Sequence, residues 1–249
     1  ANNISGAGNS SYAGAVYVKG GSLLIEGVTA HDGCTYSFGG GFAYGKNLTS
    51  LVIRDSSFVD IHANNTGGAF WIQGCTSALL ERSRFVNCYP ESSNGGGFFL
   101  EGTCSKAVYR DCEFSDCSGG CGGGVKTHAS VSIFVNCTFA GCVAIDDSWG
   151  PAIDLRNPSY LLNCTFAGNL FLDNKNSGGG SAIALGGSPT KFLNCAFANN
   201  YRNVKSDVGD VVKTDGDIGK FGGSWDCINT IANGKSANQQ TSIDSSTGL

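Results

Sequence analysis

Methionine is absent from the 249 residues, and only 4 are proline. Without a Met at position 1, the chain is expected to start after a processing step, with any signal peptide already removed. So few prolines exclude a proline-rich linker. Charge is also sparse: 16 Lys+Arg against 20 Asp+Glu leave −4, and charged residues make up 14 %. A weakly acidic chain cannot live on phosphate neutralisation, so no nucleic-acid partner is expected. No apolar run approaches the ~20 residues of a membrane span, so no direct membrane insertion is expected. Yet 41 % of the residues are hydrophobic, too many for a disordered chain.

Glycine and cysteine are plentiful, with 38 and 12 copies. The glycines follow no three-residue period, which excludes collagen. An even and large cysteine count fits an oxidising compartment better than a cytosolic metal protein, so an extracellular or cell-surface location is expected. Glycan acceptor triplets begin at Asn3, Asn9, Asn47, Asn64, Asn136 and Asn163. Asn47 and Asn64 sit in turns and are the expected glycosylation sites.

An internal repeat organises the chain. Phe recurs at 58, 85, 114, 139, 166 and 197, at gaps of 27, 29, 25, 27 and 31 residues. Two positions before each Phe stand Ser56, Ser83, Cys112, Cys137, Cys164 and Cys195. Three positions after it stand Ile61, Cys88, Cys117, Cys142, Asn169 and Asn200. Small-residue starts recur as well, from Ala13-Gly14-Ala15-Val16 through Gly39-Gly40-Gly41-Phe42 and Gly67-Gly68-Ala69-Phe70 to Gly180-Ser181-Ala182-Ile183. Within a unit the apolar period is two, as in Phe70 and Ile72 alternating with Trp71 and Gln73, which means strand. Each unit is expected to hold three short strands. One unit is too thin to bury its own apolar face, so the units must stack ~4.8 Å apart. The expected fold is all-β: a single-stranded, right-handed parallel β-helix, a solenoid of about seven rungs of ~28 residues, its hand taken from the strand-crossover rule.

The Gly-Gly-Ala-(Ile/Phe) starts and the Phe-x-x-Asn elements, such as Phe166-Ala167-Gly168-Asn169 and Phe197-Ala198-Asn199-Asn200, resemble the repeats of polymorphic outer-membrane-protein adhesins. More broadly the chain resembles the pectin-lyase-like right-handed β-helix superfamily. That resemblance covers about residues 13–200. It implies the fold; the superfamily holds lyases, hydrolases, epimerases, adhesins and inert shafts, so it does not imply one activity.

Two regions are expected: a repeat domain over 1–202, with 1–12 the remnant of a preceding rung, and an irregular final rung, cap and tail over 203–249. An uncapped end exposes a β edge, so end-to-end self-association is a possible mode of assembly. Rung spacing falls inside the Cα window for disulfides. Cys75 and Cys104, at corresponding places in successive rungs, are the expected best pair, and Cys88, Cys117 and Cys142 share a column in which one further pair can form. The series Cys112, Cys137, Cys164 and Cys195 faces inward, to pair or to pack as small hydrophobes. Cys112, Cys117 and Cys121 have spacing that the rung explains, so no metal is expected there. The Asn136, Asn163 and Asn194 column is expected to form a buried amide ladder.

The outward columns of the strand after each Gly start carry the candidate chemistry. The first reads Tyr17, Ala43, Trp71, Phe99, Lys126, Asp154 and Ala184; the second reads Lys19, Gly45, Gln73, Glu101, His128, Arg156 and Gly186. Tyr17, Trp71 and Phe99, with Gln73, Glu101 and Asp154 beside them, offer apolar faces and polar groups suited to sugar rings. Lys126 as base and His128 or Arg156 as acid match the outline of the superfamily's polysaccharide lyases. A Ca²⁺ cluster of that type needs several carboxylates, and only Glu101 and Asp154 lie in this stripe. Asp207, Asp210, Asp215 and Asp217 form a second possible Ca²⁺ region; otherwise no cofactor is expected. A hydrolase of the polygalacturonase type is disfavoured, because His128 follows Thr127 rather than Gly and no Arg-x-Lys occurs. The leading expectation is a secreted or cell-surface structural or adhesive module whose partner is a polysaccharide or a cell-surface protein. The alternative is a lyase or epimerase acting on uronate polymers.

Overall fold

Gly, Asn and Asp punctuate the chain where the backbone must turn left-handed, and these corners set the shape. The structure is a computed structural model that describes residues 5–6, 13–35, 39–92, 94–145, 150–173, 180–186, 189–206, 209–213, 218–220, 225–228 and 230. Asn3, Asn9, Asp146, Asp147, Asp207, Asp215 and Asp217 lie outside the described residues.

Each circuit has four arms, one more than the expected three. The first arm follows the small-residue start, as in Val16–Lys19, Phe98–Glu101 and Ile153–Leu155. The second follows as Ser22–Glu26, Lys106–Arg110 and Ser159–Leu162. In two circuits these arms fuse into single strands, Ala43–Arg54 and Phe70–Glu81. The third arm carries the repeating Phe, as in Ser57–Val59 and Thr138–Ala140. A short fourth arm closes the circuit, as in His62–Ala63 and Val143–Ile145. Arms of one kind pair in parallel with their copies on neighbouring turns; Gly209–Lys213 folds back antiparallel on Tyr201–Ser206.

The third arms form a sheet of 7 strands, so the coil makes about six turns from one end of it to the other, not the expected seven. Phe58, Phe85, Phe114, Phe139, Phe166 and Phe197 form one pile, with ring centroids 4.6–5.2 Å apart between neighbours. All six rings are buried. The circuit at the N-terminal end has Ala30 in register with Phe58, and Phe42 fills part of that space, 5.0 Å from the Phe58 ring. This explains an error of register in the expected columns. Phe42 belongs to the start itself, so Ala43 pairs with Phe70 and Tyr44 with Trp71. Tyr44 and Lys46, rather than Ala43 and Gly45, occupy the two outward columns there.

Two corners recur on every turn. The residue before the Ser/Cys column is left-handed, from Asp55 (φ 51°) through Asn136 (53°) to Asn194 (52°). Asn and Asp tolerate this conformation best among residues with a side chain. The Ser or Cys that follows donates to the carbonyl two residues back: Ser56 to Arg54, Cys112 to Arg110, Cys164 to Leu162. The second corner, two residues after each Phe, is again Asp, Asn or Gly at positive φ, as at Asp60, Asn87 and Gly168.

The expected disulfides are not present. The ten described cysteine side chains are buried free thiols. Cys75 and Cys104 face each other with Sγ atoms 3.5 Å apart, well beyond the ~2.05 Å of a bond. Cys88, Cys117 and Cys142 are instead turn donors, their thiols directed at the carbonyls of Phe58, Phe85 and Phe114 on the preceding turn. The amide ladder also stands elsewhere than expected. Asn136, Asn163 and Asn194 are exposed, and Asn194 donates to Asn163 at the surface. The buried ladder is Asn169 and Asn200, whose amides bond the carbonyls of Phe139 and Phe166. Cysteine at the last place of the Phe-x-x-Asn element is therefore a smaller donor doing the same job.

Candidate functional site

Parallel pairing of the first arms brings most of the predicted residues onto one face. Register pairs Tyr17 with Tyr44, Tyr44 with Trp71, Trp71 with Phe99, Phe99 with Lys126, Lys126 with Asp154, and Asp154 with Ala184. Gln73 pairs with Glu101 in the second column. His128 and Arg156 extend that column, their amides bonded to Leu100 and Thr127.

The N-terminal half of the face is aromatic. Tyr17 is 50 % exposed and its ring stacks on Tyr44 at 5.4 Å and 8°. Trp71 lies 4.7 Å beyond Tyr44 and is half-buried. The Trp71 Nε1–H donates to Glu101 Oε2 at 2.9 Å, and the Tyr44 hydroxyl donates to Gln73 Oε1 at 2.8 Å. These bonds fix the rings in place, so little rotamer entropy remains to be lost on binding. Tyr44 is the member that sequence reasoning missed. Aligning Gly40-Gly41-Phe42-Ala43 with Gly67-Gly68-Ala69-Phe70 would have found it, at the cost of placing Phe42 where small residues otherwise stand. Phe99 does not present its face to solvent: it is buried, with Lys126 Nζ 5.2 Å above the ring and His128 edge-on at 5.6 Å.

The C-terminal half is a charge cluster. Asp154 is completely buried, and its Oδ2 accepts from Arg156 Nη2 at 2.8 Å and Nε at 3.1 Å. Lys126 Nζ lies 3.8 Å from the same oxygen, with its side chain 8 % exposed. Asp154 Oδ1 has no hydrogen-bond partner. Burial raises the Asp154 pKa, against the opposing pull of Arg156 and Lys126. His128 is pushed down to about 4, by burial first and then by Lys126 and Arg156, so its imidazole is neutral at neutral pH. Thus the structure brings Lys126, His128, Arg156 and Asp154 together on adjacent turns. It holds the Lys126 amine between a ring face and a carboxylate, which leaves that amine poorly placed to take a proton from a substrate.

A second concavity lies elsewhere, on the corner between the second and third arms. It is a groove of about 690 Å³ lined by Asp55, Arg82, Arg84, Asp111, Glu113 and Asn136, among others. Arg82 grips Asp55 in a bidentate pair at 2.7 and 3.0 Å, and Asn136 donates to Asp111. Their charges largely satisfy one another, so the groove is polar without a fixed net sign. Asn47 and Asn64, the expected glycan sites, are both exposed. Among the described residues no three His, Cys, Asp or Glu side chains come together as a metal site.

Residues 49–218 match the family described as a right-handed beta helix region. The chain belongs to that family. No curated protein and no solved structure matches it. Family membership agrees with the coil and gives its hand, and it leaves the activity open.

Proposed function

We propose that this β-helix is an adhesive module of an extracellular or cell-surface protein, and that it holds glycan along the outer side of its first arms. The observation that carries the reading is the aromatic surface at this end of the face: Tyr17, half exposed and stacked on the buried Tyr44, and the half-buried Trp71, held by Glu101. Exposed aromatic surface with acceptors beside it suits the C–H faces and hydroxyls of a glycan. The likeness of the Gly-Gly-Ala and Phe-x-x-Asn elements to adhesin repeats supports the same reading, as does the closed charge cluster, which favours binding over turnover. Glycosylation at Asn47 and Asn64 belongs to this picture. The test is retention on a glycan array, compared with Trp71→Ala and Tyr17→Ala. Retention lost in the variants supports the reading; retention unchanged in Trp71→Ala rejects it.

A lyase or epimerase is the second reading, and one observation favours it: Asp154 Oδ1, buried and without a donor, beside Lys126, Arg156 and His128. Arg156, the partly exposed cation of the cluster, would meet a uronate carboxylate, with the neutral His128 beside it. Incubation with a panel of uronate polymers, followed by ultraviolet absorbance for unsaturated ends and by NMR for epimers, tests it. No product with or without added Ca²⁺ would rule it out.

A further inference from the structure

The central outward side chain of the second arms is apolar on six successive turns, although that side of the sheet faces water. Leu24, Val52, Leu79, Val108, Ile133 and Tyr160 stand in one register-matched file. Leu24 is 57 % exposed and Tyr160 42 %, and the four between them are half-buried only by their own neighbours in the sheet. The file ends at the exposed Lys191, in register with Tyr160, while beside it the apolar surface widens. Val135, Leu162 and Leu193 form a second apolar column on one side of it. On the other side Val131 and Pro158 continue the surface, their carbonyls accepting from the amides of Ala107 and Ser132. Toward the N-terminal end the column of Val135 and Leu162 continues as Arg110, Glu81, Arg54 and Glu26, paired with one another at 2.9 Å (Arg54–Glu26) and 3.2 Å (Arg110–Glu81). The second arms therefore bury Ile53, Leu80, Tyr109, Phe134 and Leu161 inward and carry a second, solvent-facing set of hydrophobes. Scattered exposed apolar residues need no cause, but a continuous rail over this many turns does.

We infer that this face is the interface of a lateral dimer, in which two coils lie side by side along their second arms. The occupant follows from the repeat. A straight rail with one side chain every ~4.8 Å is matched along its whole length only by a surface of the same pitch, which a second copy of this chain supplies. A two-fold axis parallel to the coil sets each rail residue against its own copy: Leu24 on Leu24, Ile133 on Ile133, Tyr160 on Tyr160. The same operation lays the Glu26–Arg54 and Glu81–Arg110 flank over the partner's Ser22, Ser50, Ser77 and Lys106. The Glu26–Arg54 and Glu81–Arg110 pairs are neutralised within each chain, which leaves Lys106 against the partner copy's Arg110 and Lys191 against its own copy as like-charge contacts, both on exposed side chains that can turn to water. The area is adequate: a face of roughly 30 by 16 Å projects to about 500 Å², and its rough accessible surface approaches the ~800 Å² per partner of a standard interface. This interface lies on a different arm from the aromatic file, so it stands or falls independently of glycan binding.

The experiment is sedimentation velocity of the whole 249-residue chain over a wide range of concentration. A reversible monomer–dimer equilibrium is expected. Ile133→Glu and Leu162→Glu, each placing an unpaired charge at the apolar contact, should weaken the dimer by about a hundred-fold or more. Both side chains point outward, so far-ultraviolet circular dichroism and melting should be retained. Tyr160→Lys, at an exposed position, is the second variant should either glutamate disturb the fold. Thr138→Glu, exposed on the third arm, should leave the dimer intact. One added, exposed cysteine, Tyr160→Cys, should cross-link to its own copy with a short bismaleimide, where the parent chain with its buried thiols should not. A chain that stays monomeric throughout overturns the inference. So does a dimer indifferent to the rail variants, or an open-ended polymer pointing to end-to-end contact.

Discussion

Asn169 donates from its side-chain amide to the side-chain oxygen of Asn200 on the next turn, at 2.8 Å, with both residues buried. Each amide does more than link to its neighbour. Asn169 Oδ1 accepts from the Cys142 amide, and its Nδ2 also reaches the Phe139 carbonyl at 3.1 Å. Asn169→Ala would leave those backbone groups unsatisfied in a dry corner, so it should cost about 2–4 kcal/mol, each orphaned group contributing ~1–3 kcal/mol. Asn169→Cys should cost clearly less, since Cys142 directs its thiol at the Phe114 carbonyl in the same way. Denaturant unfolding of the two variants measures the difference; equal losses would show that the amide network is not what holds this corner.

The corner thiols are predicted to be replaceable by serine. Ser56 and Ser83 already occupy the column that continues as Cys112, Cys137, Cys164 and Cys195, and Ser83 bonds the Glu81 carbonyl as Cys112 bonds that of Arg110. Cys112→Ser and Cys137→Ser should each stay within about 1 kcal/mol of the parent, the scale of one hydrogen bond. Cys112→Val keeps the volume, loses the donor and should cost more. Thiol titration of the unfolded chain without reductant checks the same point, and should count at least the ten described cysteines as free.

Acid should weaken the fold through His128. Its folded pKa is depressed to about 4 from an ordinary 6.5, so the native state resists the proton that the unfolded chain accepts. The contribution is fully present above about pH 6.5 and is lost as pH falls toward 4. His128→Gln should flatten the stability profile across that window and leave it unchanged above. A parallel loss in parent and variant would assign the acid sensitivity to other groups. Asp154 acts in the opposite sense: its raised pKa makes its contribution largest on the acid side and smaller as pH rises through the folded value.

The Asp154 cluster makes a sharper prediction through coupling. Asp154→Asn leaves the buried Lys126 amine with no counter-charge, which should cost about 3–5 kcal/mol. Adding Lys126→Met removes the stranded charge and should recover much of the loss, because Arg156 is partly exposed and can turn to water. A double-mutant cycle in thermal unfolding reads this directly; strict additivity would show that the two side chains do not interact.

The repeat was legible because its residues have one job each. A Phe every 25–31 positions, flanked by small donors and left-handed corners, leaves a stacked coil as the way to bury the rings, and the pile from Phe58 to Phe197 follows. The outward columns were legible only where the starts align without ambiguity. Phe42 broke that alignment by filling the space left by Ala30, and Tyr44 was lost with it. The rail on the second arms escaped notice for a different reason. Leu23 and Leu24, or Leu161 and Leu162, are all apolar, and a run of two hydrophobes gives no sign of which one faces water.

The linear order of residues therefore determined the period, the inward Phe, the corner positions and the turn-by-turn neighbours, because strands of one period must stack on their own copies. Tertiary structure decided what those neighbours do. Cys88, Cys117 and Cys142 stand one turn apart, but their side chains turn to the carbonyls of the preceding turn, and that choice depends on angles no spacing encodes. Similarly, Lys126, Asp154 and Arg156 share a face by register alone, whereas the burial that locks them together comes from the packing around them.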